Sequence, residues 1–174
     1  MTTASAVLLL GGLFYFGGRK PGYSHIRHTI SELGEVGSPV ARPVAYGLFL
    51  PVGLLLLCVA ALTGGRAVAG LAACVGVGYV VAAFFPCDAG SPLSGSGRQQ
   101  IHNLGGAVEY VGGAYWLSQL PTPVLIAGLN PFAFGAGLVI LGTVLLSMPN
   151  VPLRGLIQRV IEVVLFGSLI WAPI

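Results

Sequence analysis

The fold of this chain follows from residues 66–85, which read RAVAGLAACVGVGYVVAAFF. Their only charge stands at the first position, and a helix needs about 20 such residues to cross the hydrocarbon core of a membrane. The chain has six such segments, and in the fifth, residues 122–147, Pro131 predicts a kink or a late helix start. We predict an all-α fold in which one domain, residues 1–174, forms a polytopic membrane bundle of about six transmembrane helices. The other five segments lie at about residues 4–18, 42–62, 100–120, 122–147 and 153–172.

The composition agrees with this prediction. Hydrophobic residues make up 55% of the chain and charged residues 7%, and the mean hydropathy is +0.90. A soluble domain averages about 25% charged residues. A disordered chain, a nucleic-acid-binding arm and an ordinary soluble enzyme are therefore excluded. The net charge of +3 is small and scattered, so we expect membrane lipids and no nucleic acid as partners.

The basic residues predict the orientation in the membrane. With six spans, loops 18–41, 86–99 and 148–154 share one side, and the opposite side holds only Arg66. Because cytoplasmic loops carry an excess of Lys and Arg, we expect loops 18–41 and 86–99 to be cytoplasmic. The basic residues in or beside these loops are Arg19, Lys20, Arg27, Arg42, Arg98, Arg154 and Arg159.

Small residues recur in the third and fourth segments. Gly70, Cys74 and Gly78 stand at every fourth position of the third segment, which predicts a face that another helix can approach closely. The fourth segment carries glycine pairs at 105–106 and 112–113. Close packing explains both patterns, and room beside a ligand is the functional alternative.

Glu109 lies in the middle of the fourth segment, where an ionisable residue indicates a functional site. His102 stands seven positions earlier, so both side chains project from one helix face. We predict that they form an acid/base pair. The structural alternatives are that Glu109 only hydrogen-bonds another helix and that His102 lies at the membrane interface.

Loop 18–41 is rich in polar residues. His25 and His28 have the spacing of two residues on one helix face, which makes them weak candidates for a metal site. Glu32 follows His28 by four positions and could bind the polar part of a substrate. The sequence Thr29-Ile-Ser-Glu32 also fits a capping box, in which Glu32 only stabilises a helix start.

Loop 86–99 contributes Cys87, Asp88 and Arg98, the last of these four positions before His102. Asp88 is a candidate catalytic residue or an ordinary polar residue in a turn, and Cys87 is a candidate nucleophile or a buried thiol. Since both long loops and the start of the fourth segment share one side, we predict a single polar pocket there, with Glu109 below it.

Three stretches resemble the family of small prokaryotic membrane proteins called domain of unknown function 998. They are GYSHIRHTISELGEVGSP at 22–39, FFPCDAGSP at 84–92 and IHNLGGAVEY at 101–110. The resemblance implies a six-helix integral fold in a prokaryotic plasma membrane, and no reaction. Its signature positions are His28, Ser31, Glu32, Asp88, His102, Glu109 and Tyr110.

The leading functional hypothesis is a membrane-embedded enzyme that acts on a lipid or other apolar substrate by acid/base chemistry. We assign catalysis to Glu109, His102 and Asp88, and substrate binding to His28, Ser31, Glu32, Arg98 and Tyr110. Neither GxSxG nor HExxH is present, so a lipid-binding or accessory subunit of a larger membrane complex is the alternative. A haem or redox protein would pair His25 or His28 with His102, and a transporter is a further hypothesis. The sequence identifies no cofactor.

Overall fold

A computed structural model describes residues 1–122, 124–126, 129–148 and 150–172 of the chain. These residues form helices joined by loops, without a β-strand, which confirms the all-α prediction. Six helices are long, and a short one, α2, lies in the first loop. The helices are α1 (Thr2–Gly17), α2 (Ile30–Leu33), α3 (Ala41–Leu62), α4 (Arg66–Phe84), α5 (residues 97–118), α6 (Pro131–Ser147) and α7 (Arg154–Trp171).

The six long helices follow the six apolar segments in order, but they are not equally suited to a membrane. By length and composition, α3 and α4 can cross a bilayer, whereas α1 and α6 are apolar but shorter. This points to a membrane protein, and the number of spans stays a prediction. The helix predicted from 122 begins at Pro131, where the Asn130 side chain accepts hydrogen bonds from the Phe132 and Ala133 N–H groups. Proline suits a first helical position because its missing N–H would have no partner there.

The small residues of α4 pack against α5, as the sequence predicted. A side chain at Gly70 would meet the indole ring of Trp116. A Cβ at Gly112 would lie 2.8 Å from the Cys74 sulfur. On its other side α4 packs against α3 backbone to backbone, since a Cβ at Gly53 would lie 2.8 Å from the carbonyl oxygen of Gly76. Helix α4 is therefore central in the bundle, between α3 and α5.

Helices α3 and α5 each contain a π-helical turn, at Ala45–Phe49 and Val108–Gly112. A π turn holds one more residue than an α turn and so shifts which side chains face inward; such turns are frequent at functional sites. In α5 the turn leaves two consecutive residues, Glu109 and Tyr110, both buried. The sequence analysis did not predict either turn.

Three connections meet at one end of the bundle. The Val36 N–H donates to the Cys87 carbonyl at 2.9 Å, which joins the first loop to the third. The Leu156 N–H donates to the Ile26 carbonyl at 3.0 Å, which joins the first loop to α7. The Arg154 side chain completes the contact by donating to the carbonyl of Ser91 at 2.9 Å. The polar segments that surround α2, follow α4 and precede α7 therefore form one layer, called here the loop layer (residues 18–40, 85–96 and 150–153).

Candidate functional site

A cavity of about 690 Å³ lies beneath the loop layer and extends between α4, α5, α6 and α7. Apolar side chains, including Leu93, Val111 and Leu146, form much of its wall. The polar side chains of the wall come mainly from the loop layer, α5 and α7, and α6 adds Thr143 and Ser147. They include Thr29, Ser31, Ser91, Ser94, His102, Asn103, Glu109, Tyr110, Arg154 and Gln158.

His102 is held in one orientation at the start of α5. Its Nδ1 lies 2.9 Å from the carbonyl oxygen of Phe85, at the end of α4. Because a carbonyl can only accept, Nδ1 carries the hydrogen of the neutral ring and Nε2 keeps its lone pair. The start of α5 is itself fixed, since the Ser96 hydroxyl accepts a hydrogen bond from the Gln99 N–H at 3.2 Å. His102 therefore contributes a proton acceptor to the cavity wall.

Glu109 lies deeper in the same wall, and its position depends on Gly78 of α4. A Cβ on Gly78 would lie 2.6 Å from the Glu109 Cβ and closer still to its carboxyl group. Only glycine leaves room for the carboxylate there. The Glu109 Oε1 atom is buried and has no hydrogen-bond partner among the described residues. A free, buried acceptor beside a cavity is available to a ligand.

A second buried carboxyl group, that of Glu162 on α7, lies beside Glu109. The Tyr110 hydroxyl donates to Glu162 Oε1 at 3.2 Å and accepts from Gln158 Nε2 at 2.7 Å. The Gln158 Oε1 atom in turn accepts from the Ile30 N–H at 2.6 Å. This chain of hydrogen bonds connects the start of α2, in the loop layer, with the carboxyl pair.

The sequence analysis missed Glu162, Gln158 and Arg154 as site residues. Glu162 could have been found, because the rule that singled out Glu109, an ionisable residue inside an apolar segment, applies to it equally. Gln158 and Arg154 gave no such signal: one is uncharged, and the other stands in a basic loop that the topology explained.

Asp88 and Arg98 contribute to the loop layer, and neither is among the described residues that line the cavity. The Asp88 carboxylate accepts from the Ser96 N–H at 2.8 Å and hydroxyl at 2.9 Å, and from Arg98 Nη2 at 3.0 Å. These hydrogen bonds, from Ser96 first, hold the pKa of Asp88 below its usual value. Their geometry is that of a structured turn before α5, the alternative weighed for Asp88. The catalytic role of Asp88 and the substrate-binding role of Arg98 stay predictions.

Glu32 forms the capping box that its spacing suggested. The Glu32 N–H donates to the Thr29 hydroxyl at 3.2 Å, and the Thr29 N–H donates to Glu32 Oε1 at 3.2 Å. Arg154 Nη1 lies 3.9 Å from the same carboxylate oxygen. Ser31 lies in the cavity wall, whereas the side chains of Glu32 and His28 are outside it within the described residues. Substrate binding by Glu32 and His28 stays a prediction.

His25 and His28 are both engaged through Nδ1. Arg159 Nη2 donates to His25 Nδ1 at 2.9 Å, and the Ser24 N–H donates to His28 Nδ1 at 2.9 Å. Burial and the charge of Arg159 lower the pKa of His25, in keeping with a neutral ring. Within the described part of the chain, no group of three or more metal-ligating side chains includes them. His28 lines a separate cavity of about 590 Å³, so the geometry does not pair it with His102 as a haem ligand.

Cys87 is fully buried and donates to the Ser31 carbonyl at 3.3 Å. Burial raises the pKa of this thiol to about 12, so it is protonated at neutral pH. Since the thiolate is the nucleophilic form, the geometry favours the buried-thiol interpretation of Cys87.

The cavity therefore brings together four of the sequence-predicted residues: Ser31, His102, Glu109 and Tyr110. Comparison with curated proteins and with solved structures gave no significant match. Residues 3–173 match the family described as Protein of unknown function (DUF998). The match covers almost the whole chain and includes the three stretches that carried the resemblance. The chain thus belongs to the DUF998 family, and its cavity lies between segments that this family match spans.

Proposed function

We propose that the six long helices all cross the membrane, with loops 18–41 and 86–99 on the cytoplasmic side. Large apolar side chains are exposed on every one of these helices, and water is a poor solvent for such a surface. Lipid chains would cover it without a free-energy cost. The exposed residues include Leu10 and Phe14 on α1, Leu54 on α3, Phe84 on α4, Leu104 on α5, Leu141 on α6, and Val163 and Ile170 on α7.

The lower hydropathy of α5 and α7 is compatible with this topology. Their polar residues include His102, Glu109, Gln158 and Glu162, and all four are buried inside the bundle. A membrane helix can carry such residues when they face the protein interior. The seven-to-one distribution of basic residues supports the assignment of the loop layer to the cytoplasm.

Labelling of single cysteines tests the topology. With six spans, a cysteine at Thr2 is accessible from outside the cell and one at Leu93 from the cytoplasm, in a background without the three native cysteines. A membrane-impermeant maleimide applied to intact cells should label the first variant and spare the second until the cells are opened. Equal labelling of both in intact cells would contradict the six-span topology.

For the activity, we propose an enzyme that acts on a lipid or other amphiphilic substrate in the cavity by general acid–base catalysis. One observation carries this proposal: the His102 ring is fixed by Phe85 so that Nε2 is free, in a wall that also holds Glu109. A fixed, neutral imidazole is suited to act as a general base. The wall combines apolar side chains with the polar side chains of His102 and Glu109, which matches an amphiphile. Membrane lipids are the nearest such molecules.

Two substitutions of His102 test the roles of its two nitrogen atoms separately. In His102→Asn the amide N–H can replace Nδ1–H and still donate to the Phe85 carbonyl, but Nε2 is lost. His102→Gln extends an amide towards the position of Nε2 and provides no base. The wild type and both variants would be reconstituted in prokaryotic polar lipids, and lipid conversion would be followed by mass spectrometry.

We expect the wild type to convert a lipid component and both variants to be slower by about 10²- to 10⁴-fold, the usual contribution of general acid–base catalysis. Gln119→Asn, at an exposed position at the end of α5, is the control and should retain full activity. Unchanged rates in both His102 variants would contradict the role of His102. Tight lipid binding without conversion would favour the alternative, a lipid-binding or accessory subunit of a larger membrane complex.

A further inference from the structure

Three buried oxygen atoms, one in the cavity wall and two outside that wall, have no hydrogen-bond partner among the described residues. They are Glu109 Oε1, Glu162 Oε2 and the Tyr79 hydroxyl. They belong to three different helices, α5, α7 and α4, yet the three side chains lie close enough to interact with one another. A buried polar atom without a partner is costly, so three together have to be satisfied by protons that the side chains share or by a bound group.

The two carboxyl groups also lack a basic partner. The described ion pairs involve Glu32, Glu35 and Asp88, and neither Glu109 nor Glu162. Arg159 stands three positions before Glu162 and acts on it electrostatically, but its guanidinium donates to the Tyr23 hydroxyl at 2.8 Å and to the His28 carbonyl at 3.1 Å and forms none of the described ion pairs. Two adjacent carboxylates in a buried site cannot both be ionised without a positive charge close to them. A proton or a bound cation would supply that charge.

The hydrogen bonds around Glu162 determine which of its two carboxyl oxygen atoms is left free. Because the Tyr110 hydroxyl accepts from Gln158, its own hydrogen is available for Glu162 Oε1, at 3.2 Å. The other carboxylate oxygen, Oε2, is left free. Tyr110 and Gln158 are therefore positioning residues for this carboxylate. Glu109, which lines the cavity, gives a ligand access to the pair.

We infer that the Glu109–Glu162 carboxyl pair binds the primary ammonium group of an amphiphile whose apolar part occupies the cavity. A primary ammonium group has three N–H donors, and three free oxygen atoms are present. Ca²⁺ takes about six to eight oxygen ligands, which exceeds this set. The inference rests on the proposed function, since it names the chemical class of the molecule that the cavity takes.

Binding of simple amphiphiles tests the inference. The full chain would be placed in phosphatidylcholine nanodiscs, and saturable binding above that of empty nanodiscs would be measured by equilibrium dialysis. The probes are dodecylamine, which is a primary ammonium ion at neutral pH, dodecanol, which is neutral, and dodecyltrimethylammonium, which is charged but has no N–H donor. We expect dodecylamine to bind at least tenfold more tightly than either of the others.

Variants of the carboxyl pair locate the binding site. Glu109→Gln and Glu162→Gln keep the size of the side chain and remove the negative charge, so each should weaken dodecylamine binding at least tenfold. Glu35→Gln, in the loop layer, is the matched control, because Glu35 already pairs with Lys20 at 2.7 Å. It should bind dodecylamine as the wild type does. If the cavity variants do not fold, the comparison of the three probes on the wild type still decides the outcome.

The remaining outcomes separate the inference from the proposed function. Equal, saturable binding of dodecanol and dodecylamine, unchanged in both variants, would overturn the ammonium site and leave the amphiphile cavity intact. Loss of preference for the amine over dodecyltrimethylammonium would show that charge, and not the three N–H donors, is recognised, and would also overturn the inference. If no probe binds saturably, both the inference and the amphiphile cavity are wrong.

Discussion

The loop layer and the inner end of the cavity use the same residue types in opposite ways. In the loop layer, Asp88 accepts three hydrogen bonds, and Glu35 accepts from both Lys20 and the Gly90 N–H. At the inner end of the cavity and beside it, Glu109 and Glu162 each keep one oxygen atom without a partner among the described residues. Carboxylates in the first region are satisfied within the chain, and the described residues satisfy those in the second only in part.

The difference divides the five acidic residues of the chain into two groups. The three in the loop layer hold its segments together, so their contacts explain why they are present. The two in α5 and α7 have no such explanation, because each keeps a buried oxygen atom that lacks a partner among the described residues, which is costly at a helix centre. Unmet hydrogen-bonding capacity therefore distinguishes the candidate functional carboxylates from the structural ones better than residue type does.

The largest expected effect comes from Gly78→Ala, which changes the surroundings of Glu109 without substituting either acidic residue. The new Cβ would lie 2.6 Å from the Glu109 Cβ, so α4 and α5 must separate or Glu109 must turn away. Overpacking of this kind destabilises by about 1–3 kcal/mol. We expect a lower melting temperature in detergent together with weaker amphiphile binding.

Gly137→Ala on α6 is the control for Gly78→Ala, since nothing lies within 4 Å of a Cβ there. It should leave binding unchanged and raise stability slightly, as Gly to Ala does in exposed helix positions. A Gly78→Ala variant with normal stability and binding would show that Gly78 does not fix the position of Glu109. It would also weaken the contrast between the loop layer and the carboxyl pair of Glu109 and Glu162.

An intermediate effect is expected from Thr29→Ala in the loop layer. The substitution removes the hydroxyl that accepts from the Glu32 N–H, and loss of such a cap costs about 0.5–2 kcal/mol. Thr29→Ser keeps the oxygen atom and should retain most of the stability. Thermal unfolding of both variants, followed by circular dichroism, measures the difference. Equal melting temperatures would mean that the capping box contributes nothing to the fold.

The smallest effect is expected from Asp88→Asn, and it should depend on pH. The hydrogen bonds from Ser96 and Arg98 lower the pKa of Asp88, so its contribution to stability is present above the usual carboxyl pKa and is lost as the pH falls through the lowered value. The wild type should therefore melt above the variant at pH 7, and the two should converge in strong acid. A difference that is constant with pH would assign the effect to packing and not to the charge.

Local sequence patterns were enough to predict much of this architecture. Apolar segments of the right length predicted the long helices, Pro131 allowed for the late start of α6, and Thr29 with Glu32 predicted the capping box. The stripe of Gly70, Cys74 and Gly78 predicted a close helix contact. Each of these features depends on residues near one another in the chain, which is why a sequence suffices.

The sequence by itself determined the helical class, the polar loops and the presence of an ionisable residue, Glu109, in an apolar segment. Only the tertiary structure decided that Glu162 lies beside it, that Phe85 orients His102, and that a π turn leaves both Glu109 and Tyr110 buried. These features depend on which helix faces meet and at what height. Hydropathy and periodicity describe one helix at a time, so they carry no information about the partner that a side chain finds across the bundle.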